Sequence, residues 1–248
     1  MEGNAYLGEL SSGIIYLLAG ARLVLLGIRT GEAPERFLGA SFMMFGTSGI
    51  LYCLPEFPVF SALQMPLTFT ARIAYLPGSV LIAMFTALVF RRDERWAKWL
   101  VWGIASLAVA GVSISALRGD WEGYSLNNVG FWLEWMSYTL PFCWAAAEAF
   151  RQYLQARRRV SIGLCEASVC NRMFLWSLFA VIQFAGCGVV IAQYAAYARE
   201  NLFSSTWDFL YSGTMLAALV VMWIAFFPPA IYVRWINRST DGSAAEQS

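Results

Sequence analysis

The chain has 248 residues, of which 59% are hydrophobic and 13% charged, with a formal net charge of +1 and no histidine. Its mean hydropathy of +0.56 excludes an ordinary soluble domain. The missing histidine removes haem ligation by His, His-held zinc and di-iron centres, and the Ser-His-Asp arrangement.

Seven predominantly apolar stretches, roughly 7–28, 37–54, 72–90, 99–117, 129–150, 173–197 and 209–233, match the ~20 residues an α-helix needs to cross a bilayer core. The expected fold is therefore all-α: one seven-transmembrane-helix bundle over 1–238, followed by a short disordered cytoplasmic tail over 239–248. The first stretch has no basic region before it and is long enough to span, so it should stay as a helix and not be cleaved. It carries Ser12, Gly13 and Gly20, as the second carries Gly39, Gly46 and Gly49 and the sixth Gly186, Gly188 and Ala192, small residues that let helix backbones approach. Arg22, inside the first stretch, should snorkel to the headgroups or pair with Glu148.

The connection 55–71, PEFPVFSALQMPLTFTA, is too apolar for a solvated loop. It is expected to be ordered, lying in the interface or folding over the mouth of the bundle. Pro77 should bend the third stretch, Pro141 the fifth and Pro228-Pro229 the seventh. RQYLQARRR continues the helical pattern of the fifth stretch beyond the membrane, where its arginines can meet anionic headgroups. The first three and last three stretches share no motif, which speaks against the internal repeats of many transporters. The last stretch ends FFPPAIYVRWINR, a proline kink before an interfacial tyrosine and a basic stop.

Charge placement orients the chain. Arg29, Arg36, Arg91, Arg92, Arg95, Lys98, Arg151, Arg157, Arg158, Arg159, Arg172, Arg234 and Arg238 fall in alternate connections, against Arg72, Arg118 and Arg199 in the others. The positive-inside rule then places the N-terminus outside and the C-terminus in the cytoplasm, most simply in a plasma membrane. Trp96, Trp99, Trp176 and Trp235 near one boundary, and Trp121, Trp132, Trp135 and Trp207 near the other, suit an aromatic belt. The five cysteines form no disulfide framework, and Cys165 with Cys170 is too sparse a set for a metal. The only lysine, Lys98, lies in a connection, so a retinal Schiff base in the seventh helix is excluded. No metal, cofactor or nucleic-acid partner is expected.

The remaining chemistry is a set of ionisable groups toward the outer side: Glu9, Glu56, Arg72, Glu134 and Asp208. Glu134 lies about 9 Å into its helix, where a bare charge costs at least about 2.5–3.5 kcal/mol. It should face the interior, paired with Arg72 or protonated. Trp132 and Trp135 flank it, Tyr138 follows one turn on, and Tyr75, Trp207 and Tyr211 begin neighbouring helices at similar depth. Glu134, Arg72, Trp132, Trp135, Tyr138, Tyr211, Asp208 and Glu9 form the candidate ligand site, an acid with an aromatic lining suited to a small amphipathic or cationic molecule. Gln183 should hydrogen-bond across the bundle. The reading is an integral membrane sensor or binding protein in contact with the lipid bilayer, with a transporter or a non-catalytic subunit bound to a membrane-protein partner as alternatives. An enzyme is disfavoured because no convergent acid/base pair is evident.

Overall fold

A computed structural model describes residues 3–118, 126–200, 205–229, 231–232 and 236. The expected tail 239–248, with Trp121 and Trp235, lies outside the described residues. The described part is all-helical: α1 (Gly3–Thr30), α2 (Ala33–Cys53), α3 (Gln64–Phe90), α4 (Arg95–Arg118), α5 (Val129–Val160), α6 (Ala167–Glu200) and α7 (Ser205–Phe226). Five segments, Leu10–Thr30, Ser61–Phe90, Arg95–Arg118, Ala167–Ala196 and Phe209–Phe226, are long and apolar enough to cross a membrane. Both α2 and α5 have the length and are more polar, α5 because it carries Glu134, Glu148 and a basic last turn.

Local signals set several of the helix ends. Gly31, at φ +76°, stops α1, and Pro34 opens α2 after a two-residue turn. Asn128 caps α5 by accepting the Gly130 N–H at 2.8 Å. That helix does continue through RQYLQARRR, to Val160. Pro77 and Pro141 sit inside unbroken helices, whereas Pro228 and Pro229 follow the end of α7 at Phe226 and do not bend it. Beyond α7, the Tyr232 hydroxyl accepts from the Asn171 side chain at 2.9 Å.

The helices α1, α2, α3, α5, α6 and α7 each pack on the next, and α7 returns to α1, closing a six-membered ring; α4 lies outside it, against α3 and α5. The tightest seam is α1 on α2. A Cβ placed on Gly20 would stand 2.6 Å from the Gly39 carbonyl oxygen, and one on Gly46 would stand 2.6 Å from that of Gly13. The seven-residue spacing repeats one contact two turns apart. Gly186 likewise meets Met215 on α7, and a Cβ on Gly49 would stand 3.8 Å from Gly13 Cα, in ordinary contact, but nothing lies within 4 Å of a Cβ on Gly188, so that expected packing glycine is not a contact point.

Aromatic rings fill the ring's interior. Phe42, Phe142 and Phe179, each almost fully buried, meet edge-on at 5.9 and 6.2 Å, and Phe45 reaches Tyr16, Tyr75, Tyr138 and Phe142. Trp176, expected at the membrane boundary, is instead buried here, stacked on Phe179 at 5.1 Å. The connection 55–71 is ordered, as 3-10 turns at Leu54–Glu56 and Ser61–Leu63 followed by the start of α3 eight residues earlier than expected. It does not fold over the bundle mouth. The turns lie against α2 and α3, and Val59, Leu63 and Met65 are exposed, because extending α3 carries the segment outward along its own axis.

Candidate functional site

Arg72 on α3, Ser115 on α4 and Glu134 on α5 meet in a buried clasp. Arg72 donates Nη2 to Glu134 Oε1 at 2.9 Å and Nε to Oε2 at 3.2 Å, and the Ser115 hydroxyl donates to Oε1 at 2.8 Å. Arg72 and Glu134 are 4% and 8% exposed, so the pair is held in a medium where its hydrogen bonds count. Two glycines make room for it: a Cβ on Gly111 would stand 2.6 Å from Glu134 Cγ, and one on Gly130 2.7 Å from Ser115 Oγ. The expected Arg72–Glu134 pairing is present, and the sequence reading missed Ser115, Gly111 and Gly130. Their signal was small Gly111 and Ser115 four residues apart on α4, facing Gly130, four residues before Glu134 on α5.

The clasp faces α4 and stands apart from the aromatic interior. The candidate residues therefore divide. Trp132 is exposed, donating Nε1 to the Leu126 carbonyl at 2.8 Å. Trp135 turns to another face of α5, stacked on Phe131 at 5.5 Å and edge-on to Tyr138 at 6.1 Å. Tyr138 is buried against Tyr75, their ring centroids 4.4 Å apart, with Tyr211 of α7 nearby. Glu9 and Asp208 lie on α1 and α7, and their side chains, like that of Glu56, are outside the described ones. Both Glu134 oxygens are taken up by groups of the chain itself, so the cluster offers no unmatched negative charge to a cation.

Inside the ring the polar groups form a second assembly. The Tyr75 and Tyr138 rings lie 4.4 Å apart, with the Cys187 thiol close to Tyr138. The thiol donates to the Gln183 carbonyl at 3.1 Å. Gln183 Nε2 donates across the bundle to the Tyr16 hydroxyl, the cross-helix bond expected of it. Gln183 is 2% exposed, yet its Oε1 has no partner. Exchanging the two ends of the amide would only transfer the deficit to the nitrogen. Tyr16 and Cys187 were not legible as polar partners, since each sits singly in an apolar run.

At the opposite, basic end, Arg91 Nε binds Glu148 Oε1 at 2.7 Å while Oε2 has no partner. Glu148 is 7% exposed and the Arg91 side chain 19%. Arg91 takes Glu148, the partner that one of the two alternatives gave to Arg22. Arg22 instead lies over the Phe227 ring at 4.1 Å, because the turn after α3 delivers Arg91 beside α5 whereas α1 lies across the ring. No disulfide joins any of the five cysteines, and Cys53, Cys170 and Cys187 are buried.

No family model, characterised protein or solved structure matches this chain.

Proposed function

We propose that the protein is a multi-pass membrane sensor that binds a small, uncharged amphipathic molecule among the tyrosines at the centre of the six-helix ring. All seven helices cross the bilayer, with the N-terminus outside, on the strength of the asymmetric arginines. The observation that carries the reading is the Gln183 amide oxygen, buried and unpartnered on the side chain whose nitrogen meets the Tyr16 hydroxyl. An unmade hydrogen bond of this kind costs about 1–3 kcal/mol. A ligand hydroxyl or N–H satisfies it, while the surrounding rings take the ligand's apolar body. The closed Arg72–Glu134 clasp favours a neutral ligand over a cation. With no effector domain in the described residues, occupancy is passed on by α5, which carries Tyr138 at the site and Arg157, Arg158 and Arg159 in its last turn.

Mass spectrometry of organic extracts of the purified protein tests this. Wild type should release a stoichiometric small molecule that Gln183→Leu lacks. If Gln183→Leu only stabilises the fold and the extracts are identical, the oxygen is a packing defect and the reading is lost.

A subunit role has its own support on α4. Gly103, Ser106, Ala110 and Ser113 are exposed at three- and four-residue spacing on the helix outside the ring, with nothing within 4 Å of a Cβ on Gly103. Gly103→Cys should cross-link to a partner in native membranes if that face is covered, and should remain monomeric if it faces lipid.

A further inference from the structure

Where α7 returns to α1, the ring closes loosely. The seam holds a groove of about 370 Å³ lined by Ile15, Leu18, Leu216, Leu219, Val220 and Trp223, with Ile224 beyond. Its floor is Leu219, 2% exposed, and its rims are Leu18, Leu216 and Val220, each half or more exposed on the outer surface of the ring. No polar side chain lines it, so its occupant there is hydrocarbon.

One end of the groove is charged. Arg22 stands one turn beyond Leu18 on α1, and Phe227 one turn beyond Trp223 on the α7 side; the guanidinium sits 4.1 Å over the Phe227 ring, which itself packs 4.9 Å from Trp223. Arg22 is exposed and has no carboxylate within salt-bridge reach among the described residues, because Glu148 is held by Arg91. Eight residues short of the end of α1 at Thr30, it lies about 12 Å in along the helix axis. Stacking engages only the face of a guanidinium, and bidentate phosphate binding uses its N–H edge, so the two contacts are compatible. Arg29, seven residues on and also exposed, continues the same helix face toward the basic end.

We propose that this groove is a site for one anionic phospholipid, its acyl chain lying between α1 and α7 over Leu219 and its headgroup phosphate held on the edge of Arg22. The apolar lining selects an acyl chain, and the unmatched guanidinium at one end selects an acidic headgroup. The site is independent of the tyrosine centre inside the ring, so either can fail without the other.

Native mass spectrometry of the delipidated full-length protein, titrated with phosphatidylglycerol or with phosphatidylcholine of the same chains, tests the proposal. Wild type should retain phosphatidylglycerol about tenfold better, a ratio equivalent to about 1.4 kcal/mol. Arg22→Gln should abolish the preference, Val220→Trp should fill the groove and lower retention of both lipids, and Arg158→Gln, the same charge change at the exposed end of α5, should alter neither. Equal retention of the two lipids by wild type would overturn the site without recourse to any variant. So would equal losses in Arg22→Gln and Arg158→Gln, which would mean diffuse surface charge, or wild-type retention in Val220→Trp.

Discussion

The two acid–arginine pairs, one between α3 and α5 and the other between the turn after α3 and the far part of α5, are built differently. Arg72 and Glu134 meet through two nitrogens and two oxygens, a serine from a third helix completes the shell, and glycines admit the carboxylate. Arg91 and Glu148 share a single contact, one carboxylate oxygen is left without a partner, and the guanidinium reaches toward the surface over Trp96. A charge buried between three helices must have its lone pairs answered by the chain, because bulk solvent barely reaches it. One near the end of a helix can leave part of its hydration to the interface. The first pair therefore fixes where α4 sits, and the second ties two helix ends together with room to move.

The comparison breaks most readily at Glu134. Replacing it with Gln strands the Arg72 charge and should cost about 3–5 kcal/mol, measured by thermal unfolding in detergent. Converting both Arg72 and Glu134 to Met should recover most of that loss; no recovery would mean that the pair matters through something other than unmatched charge. Ser115→Ala removes one charge-assisted hydrogen bond while leaving the pair and should cost about 1.5–3 kcal/mol. Gly111→Ala brings a Cβ to within 2.6 Å of Glu134 Cγ; unlike a simple loss of contact, it should loosen α4 specifically, at about 1–3 kcal/mol. Protease nicking at the α4–α5 connection, faster in Gly111→Ala than in wild type, would report it. The basic-end pair should tolerate Arg91→Gln at about 1 kcal/mol, between the exposed and buried cases. A loss equal to that of Glu134→Gln would show the two pairs to be alike. The smallest perturbation orients them: in a background without the native cysteines, Asn127→Cys should react with an impermeant thiol reagent in intact cells and Ser161→Cys should not, with no change in stability. The reverse labelling would place the closed clasp on the cytoplasmic side.

Much of this was legible residue by residue. The seven helices follow from the apolar stretches, and the Arg72–Glu134 pair follows from the cost of a lone carboxylate beside the only arginine at its depth. Gln183 reaches across the bundle because a buried amide needs a partner. The failures share a pattern. Trp135 was grouped with Glu134 as its neighbour in sequence, yet successive helical residues point about 100° apart, and the two occupy different faces of α5. For Arg22, the pairing with Glu148 offered as the alternative to snorkelling rested on depth alone, which carries no information about which helices are adjacent.

The sequence by itself determined the helices and the asymmetry of their charges, because hydrophobic length and basic residues act locally and need no knowledge of neighbours. Only the tertiary structure decided that α4 stands outside a ring of six, that the clasp turns away from the tyrosines, and that a groove opens between α1 and α7. In a soluble protein the apolar side of a helix marks the core, but here both surroundings are apolar. Phe179 is fully buried and Leu117 is 88% exposed, and hydrophobicity does not tell them apart. Packing shape and the pairing of a few polar groups set the rotation of each helix, and both belong to the assembled bundle.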